Sequence, residues 1–102
     1  MQEISVTEVK ARLDKGEKLH IIDVREPEEF AEDNIGGILV PLGKIMQMDI
    51  DPLESLKEEE LIVHCRSGKR SQQACLFLES MGFSNCKNMT GGILAWREKF
   101  NP

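Results

Sequence analysis

The stretch that decides the fold covers residues 61–71 and reads Leu-Ile-Val-His-Cys-Arg-Ser-Gly-Lys-Arg-Ser. Residues 61–64 are a short apolar run that is typical of a buried strand. Cys65 follows directly, then a compact loop that carries three cations, and then an amphipathic helix that Ser71 can cap. The apolar face predicted for this helix consists of Ala74, Phe77, Leu78 and Met81. A strand that enters a helix through a short loop is the unit from which parallel sheets are built.

The same alternation of strands and helices extends in both directions from this stretch. Residues 4–16 are predicted to be a helix because Ser5 and Glu8 form a capping box. Strands are predicted at 19–24, 38–40 and 86–89, and helices at Pro27 and after Gly91-Gly92. The weak signal between 42 and 60 predicts only isolated helical turns near 44–48 and around Leu53. The pattern predicts an α/β fold, a small parallel sheet with helices on both faces.

Composition restricts what such a domain can do. The chain has 102 residues, 40% apolar and 30% charged, and we expect residues 1–102 to form one domain. Its net charge of −5 argues against a nucleic-acid or anionic-membrane partner. Neither a secretion signal nor a membrane-spanning run is evident, so we expect a cytoplasmic protein. The three cysteines, at 65, 75 and 86, lack the spacing of a disulfide scaffold or a structural zinc site, which predicts reduced thiols.

Cys65 is the strongest candidate for chemistry. It lies where a buried strand ends, and ligands of open parallel sheets bind beyond the carboxyl ends of strands. Cations and the N–H groups of the loop and helix start favour the thiolate, so Cys65 is predicted to be nucleophilic. Gly68 lets the loop curl around a sulfur atom or an anion, and Arg70 offers several donors to an oxyanion.

Other readings of these residues are possible. The loop could be a solvated basic surface with Cys65 as a half-buried structural residue, but perturbed groups cluster at functional sites. Cys75 and Cys86 are interpreted as core residues. His64 precedes Cys65 along a strand, so the two side chains point to opposite faces and a Cys–His catalytic pair is not expected.

These residues resemble a known family. The segment from Cys65 to Ser71 is similar to the active-site loop of the single-domain rhodaneses, which are thiosulfate sulfurtransferases. Further landmarks of that family occur in order over roughly residues 4–100. They are Asp23-Val24-Arg25-Glu26, Glu29-Phe30, Ile35, Gly37, Pro41, Gly91-Gly92 and Ala95-Trp96.

The resemblance implies a specific reaction and specific roles. Cys65 would accept a sulfane sulfur from thiosulfate or a similar anionic donor as a persulfide, and would pass it to cyanide or a thiol. Arg70 would hold the loop and the anion, and no metal or organic cofactor is implied. The resemblance also implies donor-binding positions, namely Arg66, Ser67, Gly68, Lys69, Ser71, Asp23 and Arg25. Asp23 and Arg25 fit a buried ion pair at the sheet end at least as well.

Three alternatives stay open at this point. The persulfide could serve a relay between proteins, with a thioredoxin-like or sulfur-relay protein as partner. The domain could instead be a non-catalytic rhodanese-like binding module, although such a module needs no activated thiolate. Cysteine-dependent phosphatases have a similar loop, but they place one residue more between Cys and Arg than the four residues found between Cys65 and Arg70. The tighter loop favours sulfur.

Overall fold

The computed structural model describes residues 1–100; Asn101 and Pro102, the last two residues of the predicted domain, lie outside the described residues. Within residues 1–100, five strands alternate with five α-helices and one 3₁₀ helix. The strands are β1 (Gln2–Ile4), β2 (His20–Asp23), β3 (Ile38–Leu39), β4 (Glu60–His64) and β5 (Asn85–Met89). The α-helices are α1 (Val6–Asp14), α2 (Pro27–Glu32), α3 (Leu42–Met46), α4 (Lys69–Ser80) and α5 (Gly92–Phe100), and the 3₁₀ helix is Asp51–Leu56.

All five strands form one parallel sheet in the order β1-β5-β4-β2-β3. Strand β4 therefore lies in the centre, between β5 and β2. The register pairs Val63 with Ile22 on one side and with Asn88 on the other. This arrangement confirms the predicted fold class and places the end of β4, where Cys65 follows, at the middle of the sheet.

Helices cover both faces of the sheet, and each face has its own apolar core. Residues alternate along a strand, so Ile62 points to one face, whereas Leu61 and Val63 point to the other. The first core joins Ile62 to α1 and α5 through Val9 and Trp96. The second core joins Leu61 and Val63 to α3 and α4. Within residues 1–100, none of the helices has the length and apolarity that a bilayer span requires.

Two local predictions are wrong. Residues 2–4 form β1, an edge strand paired with β5, and α1 begins only at Val6, after its cap Ser5 accepts the Glu8 N–H at 3.0 Å. On α4, Phe77 is not part of the apolar face but is 38% exposed. The buried residues of that helix are instead Ser71, Ala74, Cys75 and Leu78.

A charge cluster ties α1 to the start of the two central strands. Glu60 accepts hydrogen bonds from both terminal nitrogens of Arg12, at 3.0 and 2.6 Å, and from Lys87 on β5 at 2.5 Å. The hydrogen bonds from Arg12 are the main reason that the pKa of Glu60 falls to about 2, although its partial burial opposes the shift. Folding therefore stabilises the charged form of the Glu60 side chain, and the charged Glu60 stabilises the fold.

We expect this cluster to contribute to the loss of stability at acidic pH, that is, to the acid limb of a plot of the free energy of unfolding against pH. A depressed folded-state pKa stabilises the fold above the ordinary carboxyl pKa, and this contribution is lost as pH falls from about 4.5 toward 2. Glu60→Gln should cost about 2 kcal/mol at pH 7, after allowance for solvent screening, and should flatten that limb. Urea unfolding at a series of pH values measures both the loss of stability at pH 7 and the slope of the acid limb. An unchanged acid limb would contradict the prediction, and the exposed Glu58→Gln serves as control.

Candidate active site

Cys65 lies at the carboxyl end of the central strand, with its thiol enclosed by the loop that follows. The residue is 1% exposed. Its Sγ accepts a hydrogen bond from the Gly68 N–H at 3.1 Å and lies 3.4 Å from Ser71 Oγ. Gly68 has a φ of 113° and is the N-cap residue of α4, which begins at Lys69. The prediction that Ser71 caps the helix is therefore wrong, because Ser71 lies inside α4 and faces the thiol.

Two opposing effects act on the protonation of Cys65. Burial raises the pKa of the thiol, because it disfavours the thiolate. Hydrogen bonds with Ser71 and with the backbone N–H groups of Gly68 and Ser67 outweigh burial, so the pKa of Cys65 lies below its ordinary value. The loop thus provides the environment of a nucleophilic cysteine.

Arg70 is held at the far end of the loop by a residue that the sequence analysis did not single out for a role. Its two terminal nitrogens donate to the two carboxylate oxygens of Glu29 on α2, at 2.7 and 3.0 Å. Glu29 also accepts the Glu26 N–H at 2.9 Å, which fixes it in the first turn of that helix. The hydrogen bonds from Arg70 are the main reason that the pKa of Glu29 falls to about 2. The Arg70 side chain is therefore anchored to α2 through Glu29.

Asp23 and Arg25 form a buried ion pair at the end of β2. The Arg25 guanidinium donates to both Asp23 carboxylate oxygens, at 3.0 and 2.8 Å, and to the Asp33 carbonyl at 2.7 Å. Asp23 is fully buried, so its carboxylate positions Arg25. His64 is also fully buried, with Nε2 3.7 Å from Asp23 Oδ2, and burial lowers its pKa, which keeps the ring neutral.

An open groove of about 400 Å³ lies beside the loop. Arginines and carboxylates line it together with two apolar residues, and Leu94 is 47% exposed there. The lining consists of Arg25, Arg66 and Arg97, of Glu29, Glu32 and Asp33, and of Ile93 and Leu94. The loop residues Arg66, Ser67 and Lys69 are exposed. Of the sequence-predicted positions, Gly68 and Ser71 contact Cys65 Sγ, Arg25 and Arg66 line the groove beside the loop, and Arg70 contacts Glu29.

Cys75 and Cys86 lie in the apolar core, as predicted. The neighbouring Cys86 thiol and burial raise the pKa of Cys75. Cys86 is opposite Leu61, four residues before Cys65 on the neighbouring strand, or about 13 Å along the sheet. The Cys86 thiol is therefore not placed to attack a sulfur atom on Cys65. Within residues 1–100, no three His, Cys, Asp or Glu side chains are close enough to share a metal ion.

Comparison with known protein families accounts for this combination of a parallel sheet with a cysteine loop at its centre. The family model described as a rhodanese-like domain matches residues 5–99. The chain belongs to the rhodanese-like domain family. This match confirms the resemblance carried by the loop and by the spaced landmarks, and it covers both apolar cores and the site.

Individual relatives of this rhodanese domain agree with the assignment. YtwF of Bacillus subtilis, described as a putative sulfurtransferase, is 38% identical over 104 residues, which span 100% of this chain and 96% of that protein. A sulfurtransferase of Allochromatium vinosum is 32% identical over 99 residues, 94% of this chain and 88% of that protein. The human single-domain sulfurtransferase TSTD1 has a TM-score of 0.80 at 28% identity and covers 97% of each chain. The chain is thus similar along its length to sulfurtransferases.

Proposed function

We propose that residues 1–102 form one rhodanese domain that transfers a sulfane sulfur from a small anionic donor such as thiosulfate to a thiophilic acceptor. The Cys65 thiolate attacks the outer sulfur of thiosulfate, the S–S bond of the donor breaks, and sulfite leaves with the electron pair. Cyanide or a thiolate then attacks the outer sulfur of the Cys65 persulfide. The acceptor keeps that sulfur and the Cys65 thiolate is restored, so no net oxidant is consumed.

The observation that carries this proposal is the Gly68 N–H that points at Cys65 Sγ from 3.1 Å. It supports a loop that wraps a sulfur atom, with donors directed at the charge that forms there. A phosphatase would need a wider loop and an arginine one position later, where this chain has Ser71. Phosphate transfer is therefore the weaker proposal.

The donor side of the site follows from charge. Arg25 and Arg66 line the groove beside the loop, and we assign them and Lys69 to attraction of the anion, with Asp23 as the group that orients Arg25. Ser67 contributes its backbone N–H. The odd number of cysteines, without the spacing of a disulfide scaffold, favours a reducing compartment such as the cytoplasm.

The direct experiment is intact-protein mass after brief exposure to thiosulfate. One added sulfur, about 32 Da, should appear on the wild type and disappear with cyanide. The absence of a gain with thiosulfate and with other sulfane donors would contradict the proposal and would favour a binding module. A gain that cyanide does not remove would contradict the transfer step.

A protein-to-protein sulfur relay is the second candidate, because the groove beside the loop is open and carries the exposed Leu94. It uses the same persulfide with protein thiols as donor and acceptor. Sulfur that moves from loaded Cys65 to a thioredoxin-like protein faster than to cyanide would favour the relay.

Arg70→Lys tests the guanidinium. A tetrahedral ammonium cannot reproduce the planar fork by which the guanidinium donates to both Glu29 oxygens, so we expect kcat/KM to fall about 10- to 100-fold. Initial rates with thiosulfate and cyanide measure the change. An unchanged kcat/KM would remove Arg70 from the mechanism.

Lys69→Gln is the matched control for Arg70→Lys, since Lys69 is exposed on the same loop. Its charge acts only at a distance, so the loss should be small and should vanish as salt is added. The loss in Arg70→Lys should persist in salt.

A further inference from the structure

Ser71 has a single hydroxyl proton and three acceptors within reach. Its Oγ lies 2.5 Å from Asn88 Oδ1, 3.2 Å from the Gly68 carbonyl and 3.4 Å from Cys65 Sγ. A hydroxyl can donate to only one of them at a time. The direction of this proton decides whether Ser71 helps the Cys65 thiolate.

The chemistry of Asn88 determines that direction. Its Nδ2 lies 3.3 Å from Glu3 Oε2 and 3.3 Å from the Gly68 carbonyl, and both of these oxygens only accept hydrogen bonds. The amide nitrogen must therefore face them, which turns Oδ1 toward Ser71. An amide oxygen cannot donate, so the short contact requires that Ser71 donates to Asn88. Asn88 is 4% exposed, so few other donors can reach Oδ1.

We propose that Asn88, oriented by Glu3, is a positioning residue that competes with Cys65 for the Ser71 proton and so limits stabilisation of the thiolate. In the thiol form, Cys65 S–H donates to the free lone pair of Ser71. In the thiolate form, the hydrogen bond from Ser71 to Sγ lowers the pKa of Cys65, but it leaves Asn88 Oδ1 buried without a donor, and that cost reduces the net stabilisation of the thiolate. The significance for sulfur transfer rests on the proposed function, but the effect on Cys65 does not.

A Cys65 thiolate that is stabilised only in part suits both halves of the proposed reaction. Nucleophilicity of a thiolate falls as its pKa falls, whereas a low pKa helps the same sulfur to leave. Cys65 attacks the donor in the first half and leaves in the second half. Because Asn88 and Cys65 compete for the Ser71 hydroxyl proton, the pKa of Cys65 is kept between the value that favours attack and the value that favours departure.

The other charged groups around Cys65 do not prevent a separate measurement of the effect of Asn88 on the Cys65 thiol. Arg66, Lys69 and Arg70 are the cations of the loop, and Glu29 offsets Arg70. On β2 and β4, Asp23 is paired with Arg25, and His64 is buried. On β1, Glu3 Oε2 accepts hydrogen bonds from Asn88 and from Thr90. A change at Asn88 removes one hydrogen bond to Glu3, whose contact with Thr90 stays, and removes no contact of the other charged groups.

The experiment measures the pH dependence of Cys65 alkylation by iodoacetamide, in a background where Cys75 and Cys86 are replaced by Ala. Asn88→Ala frees the Ser71 proton for the thiolate, so the midpoint pH should fall by at least about 0.5. Asn88→Leu, which fills more of the site, should show the same direction and keeps the test valid if the Ala variant does not fold. Asn88→Asp keeps an acceptor for Ser71 and should not lower the midpoint.

Ser71→Ala distinguishes competition for the Ser71 proton from a role of Asn88 that only supports the loop. If the proton is the link, the fall caused by Asn88→Ala should disappear when Ser71 is also replaced by Ala. If Asn88 only supports the loop, its loss should disturb the Gly68 N–H and raise the midpoint, which would overturn the proposal, as would an unchanged midpoint. Alkylation needs no sulfur donor, so a failure of the proposed sulfur transfer would be seen separately, by mass.

Discussion

Cys65→Ser is expected to abolish sulfur loading and to lower kcat/KM by at least about 10³-fold, while the free energy of unfolding changes by no more than about 1 kcal/mol. The hydroxyl is close to the thiol in size and can still accept the Gly68 N–H, which donates to Sγ in the wild type. It has no thiolate-like form near neutral pH and cannot form a persulfide. Mass after thiosulfate, initial rates and urea unfolding give the three values.

Cys75→Ala is the matched control, because Cys75 is a fully buried cysteine of the apolar core in helix α4. It removes a sulfur from the core, so it should cost about 1 kcal/mol or more while loading continues. The two variants should thus separate chemistry from packing. Sulfur loading of the Cys65→Ser variant, or collapse of its fold, would contradict the assignment of Cys65 as the reacting sulfur carrier.

Local patterns are enough to predict most of this fold. The central strand, its loop and the helix after it depend on neighbouring residues, and so does the Ser5 cap of α1. Strand β1 was missed because three residues carry too little pattern, and its formation depends on pairing with β5, some 85 residues away in the register of Gln2 with Lys87. Phe77 was misplaced because the buried face of α4 follows positions 71, 74, 75 and 78 at helical spacing, and Phe77 lies beside that face.

The site was predictable in its nucleophile and loop but not in its supports. The contact of Arg70 with Glu29 spans 41 residues, and that of Ser71 with Asn88 spans 17. Both depend on strand order, since β4 lies between β2 and β5. Sequence spacing does not specify that order. The supports of a loop between two neighbouring strands become visible only when the sheet is assembled.

A backbone contact behind the loop leads to the second large effect. The first turn of α5 lies against the carbonyls of the loop: Ile93 N–H donates to the Cys65 carbonyl at 2.9 Å and Leu94 N–H to the Arg66 carbonyl at 3.1 Å. Gly92, with a φ of 60°, permits this approach, and a Cβ there would lie 2.5 Å from both carbonyl oxygens. Neither is the end of a flexible side chain that could move aside.

Gly92→Ala is therefore expected to cost about 3 kcal/mol or more and to slow sulfur loading, because α5 and the loop must separate. Gly82→Ala is the control: Gly82 has a φ of 97°, but a Cβ added there would have no neighbouring atom within 4 Å. It should lose only about 1 kcal/mol from backbone strain and should keep full loading. Urea unfolding and the mass assay compare the two variants. Equal losses of stability would show that backbone strain alone, and not the contact with the Cys65 loop, requires glycine at position 92.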